Sequence, residues 1–120
     1  MQPDIKRSND SSEFETEERC SILEVANDAN DPDVSIARAR VKPGVTTAWH
    51  QLKGTTERYL ILSGQGRVEI DTLQATDVGA GDVVRIPANT PQRITNTGAT
   101  DLIFYAICSP RFQAKCYQAL

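Results

Sequence analysis

The strongest constraint on the fold of this chain is a series of short segments in which side chains alternate between two kinds. Segment 34–41, VSIARARV, places Ala37 and Ala39 on one face of an extended chain and Arg38 and Arg40 on the opposite face. A two-residue period belongs to β-strands, because successive side chains of a strand point to opposite faces. The pattern therefore predicts a strand with one small-residue face and one basic face.

Similar short apolar segments occur along the chain at 20–26, 57–64, 66–73, 82–87, 91–96 and 101–108. The breaks between them are rich in glycine, proline, asparagine and aspartate, which supply or fix the backbone angles of turns. Many short strands at this spacing are typical of a β-sandwich or a β-barrel. Only residues 110–120, PRFQAKCYQAL, fit a helix, with Phe112, Cys116 and Ala119 on one side.

The length of 120 residues suits one domain with a single hydrophobic core. Residues 1–18 are polar and carry most of the excess negative charge, so we expect a mobile N-terminal arm. We expect the barrel to occupy residues 19–109 and a helical tail to occupy residues 110–120.

Charge and composition exclude several classes of protein. The net charge of −3 and the pI of about 5.1 argue against a nucleic-acid-binding face, which needs a basic excess. No apolar run approaches the roughly 20 residues of a membrane span, and residues 1–18 lack the apolar core of a secretory signal. Three cysteines without a C-x-x-C spacing are typical of reduced thiols, which predicts a cytoplasmic protein.

The only histidine, His50, is the most informative polar residue, because Glu57 follows it across a short loop that contains Gly54. A hairpin at this loop would bring the imidazole and the carboxylate together. Such a pair is the beginning of a site for a divalent metal, or it is a simple hydrogen-bonded pair. Tyr59 points the same way as Glu57, as a proton donor or as a core aromatic residue.

Two groups of residues occur at fixed spacings in the central part of the chain. The first, G-x5-H-x-L-x4-E-x6-G, consists of Gly44, His50, Leu52, Glu57 and Gly64. The second, G-x5-P-x-N-x2-Q-x3-N, consists of Gly81, Pro87, Asn89, Gln92 and Asn96. Both resemble the motifs of cupins, G-x5-H-x-H-x3,4-E-x6-G and G-x5-P-x-G-x2-H-x3-N. The resemblance covers roughly residues 34 to 108 and implies an all-β, double-stranded β-helix (jelly-roll) cupin barrel.

In cupins that bind a metal, two histidines and the glutamate of the first motif and the histidine of the second are the ligands. Carried over position by position, this chain keeps His50 and Glu57, but it has Leu52 and Gln92 at the other two positions. The resemblance thus implies a metal site of His50, Glu57 and Gln92 for Mn, Fe, Ni or Zn, and we expect no organic cofactor. Leu52 cannot be a ligand and an amide oxygen binds metal weakly, so a cavity without a tightly held metal is the alternative.

Two functions of different kinds follow from these residues. The first is a small-molecule enzyme of the dioxygenase, isomerase or lyase type, with His50, Glu57 and Tyr59 as catalytic residues. It would use a divalent metal, or acid–base chemistry without one. The second is a non-catalytic cupin that binds a ligand or is structural, which the loss of two ligand positions favours. Both the enzyme and a ligand-binding cupin would have a small molecule in the lumen as their partner. We expect neither a nucleic acid nor a membrane as a partner.

Two further features have more than one interpretation. Arg38 and Arg40 would clamp an anionic ligand if their face lined the lumen, and they would be solvated arginines if it faced outward. Trp49 is expected to face away from the lumen, where it and segment 12–18 would provide the contact of a homodimer.

Overall fold

The computed structural model describes residues 1–120 and consists almost entirely of β-strands. Two single-turn 3-10 helices are present, at Asp10–Ser12 and Ala114–Cys116. The strands are β1 (Phe14–Glu15), β2 (Ser21–Ala26), β3 (Ser35–Val41), β4 (His50–Leu52), β5 (Thr56–Ser63), β6 (Gln65–Ile70), β7 (Thr76–Gly79), β8 (Val83–Ile86), β9 (Gln92–Asn96), β10 (Leu102–Ser109) and β11 (Tyr117–Ala119). No helix has the length and the hydrophobicity needed to cross a membrane.

The strands form two sheets, and neighbouring strands in each are antiparallel. One sheet has six strands in the order β1-β2-β3-β10-β5-β8, and the other has five in the order β11-β4-β9-β6-β7. The prediction of an all-β fold is confirmed. The two sheets face each other, however, and do not close into one continuous hydrogen-bonded barrel.

The hydrophobic core lies between the sheets and follows from the two-residue period of the strands. In β10 the buried residues alternate with half-buried ones, so that Leu102 and Phe104 point inward. Val68 of β6 and Ile94 of β9 meet them from the second sheet in the same cluster. Removing these side chains from water is the main stabilising contribution, at about 25 cal/mol per Å² of apolar surface.

The basic face of β3 points away from the core. Arg38 contacts Asp10 at 3.1 Å and Glu13 at 3.4 Å, while Arg40 contacts Glu13 at 3.2 Å and Asp101 at 3.0 Å. The intervening Ala37 and Ala39 face the interior. Of the two interpretations, the structure therefore supports arginines on the outer face, where they attach the N-terminal segment to the sheet.

Residues 1–18, expected to be a mobile arm, lie against the body of the molecule. Phe14 and Glu15 form β1, which pairs with β2 and makes a hairpin across the expected domain boundary at residue 18. Upstream of the hairpin, Lys6 contacts Asp28 at 2.6 Å. Phe14 and Glu15 therefore belong to the sheet, although they lie within the expected arm.

The C-terminal residues 110–120 do not form the expected helix. After the 3-10 turn, β11 pairs antiparallel with β4, with Tyr117 opposite Leu52 and Ala119 opposite His50. The helical spacing of Phe112 and Cys116 reflects a shared burial site around Leu52, which both residues reach through an irregular chain. The edge of β4 provides hydrogen-bonding partners for residues 117–119, and a local sequence pattern cannot indicate such a distant partner. Pairing with β4 therefore prevails over the local preference for a helix.

We expect Gly64→Ala to lower the free energy of unfolding by roughly 2–4 kcal/mol. Gly64 has a φ of +87°, and a Cβ at this position would lie 2.6 Å from the carbonyl oxygen of Asp101. Gly79→Ala is the matched control, because nothing lies within 4 Å of its added Cβ. Urea unfolding measures both variants, and an equal effect of the two substitutions would contradict the prediction.

Candidate functional site

A cavity of about 330 Å³ lies between the sheets and is lined by most of the residues that the sequence singles out, but not by Gln92. Its lining is mostly hydrophobic, and the polar side chains in it include His50 and Glu57. Tyr59 lines the same space, whereas Arg38 and Arg40 are not part of it. A concave, largely apolar space with a few polar groups is the usual form of a small-molecule site.

The loop between β4 and β5 connects the two sheets and is not a hairpin within one of them. β4 belongs to the five-stranded sheet and β5 to the six-stranded sheet, so His50 and Glu57 line the cavity from different sheets. The expectation of adjacent strands is corrected accordingly. Asn89, with a φ of +62°, supports the crossing, because its Oδ1 accepts a hydrogen bond from the Gly54 N–H at 3.0 Å.

The imidazole of His50 is buried and held in one orientation. Its Nδ1–H donates to the carbonyl oxygen of Ala48 at 2.8 Å, and Nδ1 also lies 3.6 Å from Glu18 Oε2. This contact to a carbonyl places a proton on Nδ1 and leaves Nε2 as the acceptor of the neutral ring. Tyr117 stacks on the ring, with the centroids 5.1 Å apart and 20° between the planes.

The carboxylate of Glu57 is the most unusual group in the cavity. The residue is 8% exposed; its Oε2 accepts a weak hydrogen bond from the Cys108 thiol at 3.8 Å, and its buried Oε1 has no hydrogen-bond partner. Burial raises the pKa of Glu57 to about 7, while His50 and Gln92 oppose the shift. A buried carboxylate without full compensation costs stability, and a pKa near neutrality suits a group that takes up and releases a proton.

Tyr59 and Gln92 form the second polar pair beside Glu57. The Tyr59 hydroxyl donates a hydrogen bond to Gln92 Oε1, and its ring packs on Phe104 at 4.4 Å. Gln92 is 1% exposed and lies opposite His50 in the pairing of β9 with β4. Burial and the nearby Glu57 raise the pKa of Tyr59 well above its usual value, so its hydroxyl keeps its proton.

The N-terminal hairpin supplies a wall of the cavity that the motif spacing did not indicate. Its cavity-lining residues follow the two-residue period from Phe14 through Thr16, Glu18, Cys20 and Ile22 to Glu24. Glu18 contacts His50, as described above, and the backbone N–H of Ala48 donates to the Glu18 carbonyl at 3.1 Å. Burial raises the pKa of Glu18. Continuing the period upstream of Cys20 would have found this wall in the sequence.

The side chains at this site do not make a complete ligand set for a resident transition metal. Nowhere in the chain do three or more histidine, cysteine, aspartate or glutamate side chains group in a way that could hold an ion. His50 and Glu57 are potential ligands, but Leu52 is apolar and the amide oxygen of Gln92 already accepts the Tyr59 hydroxyl. One imidazole and one carboxylate leave most of a coordination sphere to water or substrate.

Comparison with known proteins assigns the family. Residues 37–108 match the Cupin domain family, so this chain belongs to the cupins, and the predicted double-stranded β-helix class is confirmed. The oxalate-binding protein of Thermotoga maritima is 38% identical over 71 residues. That match covers 59% of this chain and 58% of the relative, so it spans little more than half of the relative's length.

Solved structures share the fold at low sequence identity. The Streptomyces protein Pac13, a nucleoside dehydratase, superposes with a TM-score of 0.79 at 16% identity, over 98% of this chain and 92% of Pac13. KdgF from Halomonas sp. gives 0.75 at 20% identity, over 87% and 93% of the two chains. Oxalate decarboxylase of Bacillus subtilis, which has Mn(II) centres, gives 0.77 at 23% identity, over 90% of this chain and 29% of that protein.

We expect Glu57→Gln to stabilise the metal-free protein at alkaline pH relative to its effect at acidic pH. Glu57 has a raised pKa, so between about pH 4.5 and pH 7 the native state holds a proton that the unfolded chain has released. The contribution of protonated Glu57 to the free energy of unfolding is therefore full below about pH 4.5 and is lost as the pH rises through about 7. The variant's advantage should therefore grow by on the order of 2 kcal/mol between about pH 5 and pH 8.

Urea unfolding of chelator-treated protein at the two pH values measures this difference. Glu15→Gln is the control, because Glu15 lies on the same hairpin, is exposed and does not line the cavity. A difference between variant and wild type that does not change with pH would show that Glu57 has an ordinary pKa.

We expect protein purified without chelator to contain far less than an equimolar amount of transition metal. Added Mn, Fe, Ni or Zn should raise the melting temperature little, because an ion stabilises the native state only in proportion to its binding. Elemental analysis and thermal shift of wild type and His50→Ala test this. An equimolar metal that His50→Ala abolishes would instead establish the predicted metal site.

Proposed function

We propose that this cupin is an enzyme of the isomerase or lyase type that transfers protons on a small organic molecule in its cavity, without a resident metal. The observation that carries the proposal is Glu57 Oε1, a buried carboxylate oxygen that has no hydrogen-bond partner in the protein and belongs to a side chain that lines the cavity. A substrate hydrogen would be its missing partner. Such a group is costly to keep, and it is the arrangement that a general base requires.

Glu57 is the general base in this proposal, because its pKa of about 7 lets it accept a proton at neutral pH. It takes a proton from a substrate carbon next to a carbonyl, and the electron pair of the broken C–H bond moves into the carbonyl group. The surrounding apolar walls keep water from competing for the carboxylate.

His50 is the matching general acid. In its imidazolium form, with Nδ1 3.6 Å from Glu18 Oε2, it gives a proton to a hydroxyl group on the neighbouring carbon. The C–O bond then breaks, water leaves and a C=C bond remains, so a lyase step balances with Glu57 protonated and His50 neutral. If the carbon that loses its proton itself carries a hydroxyl, protonation of the carbonyl oxygen by His50 gives an enediol. The isomerase step then returns the proton of Glu57 to the former carbonyl carbon, while the other hydroxyl gives its proton to His50 and becomes the new carbonyl.

Tyr59 contributes a fixed hydroxyl beside the two groups. Because it donates to Gln92, its oxygen lone pairs are directed away from Gln92 and can accept a hydrogen bond from a substrate hydroxyl. Dioxygenation, the third reaction type, requires a redox metal or an organic redox cofactor, and a donor set of one imidazole and one carboxylate does not favour a resident metal. Lyase chemistry is also the activity named for Pac13, which shares the fold.

The second candidate function is a ligand-binding protein without turnover. Leu52 favours it, because this residue replaces a ligand position with an apolar surface that a bound organic molecule would contact. The Thermotoga relative is named for binding and not for a reaction. The cytoplasmic location and the homodimer expected from the sequence remain predictions under either function.

Deuterium incorporation distinguishes the two functions. Chelator-treated protein is incubated in D₂O with a defined set of small hydroxy-carbonyl and amino-carbonyl compounds, and mass spectrometry follows deuterium uptake and loss of water. We expect wild type to act on at least one compound and Glu57→Gln to be slower by about 10²–10⁴-fold.

Glu15→Gln, which removes the same charge outside the cavity, should retain the wild-type rate. Equal rates in wild type and Glu57→Gln would remove Glu57 as the base. Binding of a compound without exchange or water loss would establish the ligand-binding function instead.

A further inference from the structure

The charges around the cavity are of one sign. Three glutamates line it: Glu57 is buried, Glu18 is partly buried at the tip of the hairpin, and Glu24 is exposed. No lysine or arginine is among the lining residues. His50 is therefore the only lining side chain that can carry a positive charge, and the carboxylates of Glu18 and Glu57 flank it.

The two arginines of β3 lie on the outer face of the six-stranded sheet, so they do not contribute positive charge to the cavity. Arg38 and Arg40 lie on β3 between the small residues of the lumen face, and acidic side chains of the N-terminal segment and Asp101 already engage them. The strand thus separates guanidinium groups outside from carboxylates inside. An anionic ligand in the cavity would meet several carboxylates at short range, with at most one compensating imidazolium.

Aromatic rings form much of the remaining wall. Phe14 is 50% exposed, and Phe112 and Tyr117 are half-buried, whereas Tyr59 and Phe104 lie deeper. The faces of such rings carry partial negative charge and attract ammonium groups, most strongly where water is excluded. Rings and carboxylates in one cavity therefore favour the same kind of ligand.

The unpartnered Oε1 of Glu57 adds an independent requirement. This oxygen is buried and has no hydrogen-bond partner, and the side chain that carries it lines the cavity, so a ligand that supplies an N–H or O–H group would satisfy it. A ligand carboxylate would supply only acceptors and would leave this oxygen unsatisfied.

We propose that the cavity selects a small organic cation, a protonated primary amine on a hydrophobic or aromatic carbon skeleton, over a carboxylate of the same shape. The inference deepens the proposed function, since it names the substrate class of the same site, but it concerns binding and does not require turnover. It also distinguishes this protein from its Thermotoga relative, whose name refers to oxalate, a dianion.

Three matched probes test the charge preference: benzylamine, benzyl alcohol and benzoate. Calorimetry on the full chain at about pH 8, where carboxylates are largely ionised, measures each affinity. We expect benzylamine to bind at least about tenfold more tightly than benzoate, with benzyl alcohol between them. Benzoate binding as tightly as benzylamine, or no binding of benzylamine at millimolar concentration, would overturn the proposal.

Glu18→Gln and Glu24→Gln show whether the carboxylates of the hairpin produce the preference. Each should reduce the ratio of amine to benzoate affinity several-fold, whereas Glu15→Gln, on the opposite face of the same hairpin, should leave it unchanged. Glu24 is exposed, so its substitution tests the proposal even if Glu18→Gln lowers the stability of the fold. A ratio that neither Glu18→Gln nor Glu24→Gln changes would also overturn it.

The outcome of this test is separable from that of the deuterium experiment. Selective amine binding without proton transfer would leave the ligand class intact and remove the catalytic proposal. Proton transfer on carboxylate compounds, together with a preference for benzoate, would do the reverse.

Discussion

Successive side chains of a β-strand must point to opposite sides of its sheet, and this steric requirement decides the character of the cavity. In β3 it sends Ala37 and Ala39 inward and Arg38 and Arg40 outward, so that the lumen gains space and loses positive charge. In β5 it directs Glu57 and Tyr59 to the same interior. The carboxylate cannot turn away to solvent without reversing the whole strand, so the fold holds it in an environment that disfavours its ionised form.

Spacing along the chain was enough to predict the central part of this arrangement. The intervals between His50, Glu57 and Gln92 equal those of the cupin motifs, although the residue at the last position differs. Strand length and turn type fix where each side chain points, whatever the residue at that position. Asn89, which occupies the place of the glycine in the second cupin motif, has a φ of +62°, in the left-handed region that asparagine tolerates. Strands with strict alternation, such as β10, could be predicted from the sequence equally well, because their pattern is local.

Elements that depend on partners far away in the sequence could not be predicted in the same way. β11 forms because β4 presents a free edge, and the pairing of Tyr117 with Leu52 joins residues far apart in sequence. The crossing of the chain between the two sheets after β4 could not be distinguished from a hairpin, because both need a short, glycine-containing loop. The place of Glu18 at the cavity was not predicted for another reason: its segment also alternates, but it is strongly acidic, and such a composition is typical of an exposed arm.

The β1–β2 hairpin has a consequence for how such a protein diversifies. The stretch that matches the Cupin domain family, residues 37–108, contains the histidine and the buried acid, whereas the hairpin that brings Glu18 and Phe14 to them lies outside it. Under the two proposals above, the proton-transfer residues and most of the carboxylates that select the ligand are therefore encoded in separate parts of the chain. Substitutions confined to the hairpin would then change which ligands the cavity accepts, while His50, Glu57 and the strands that carry them stay the same.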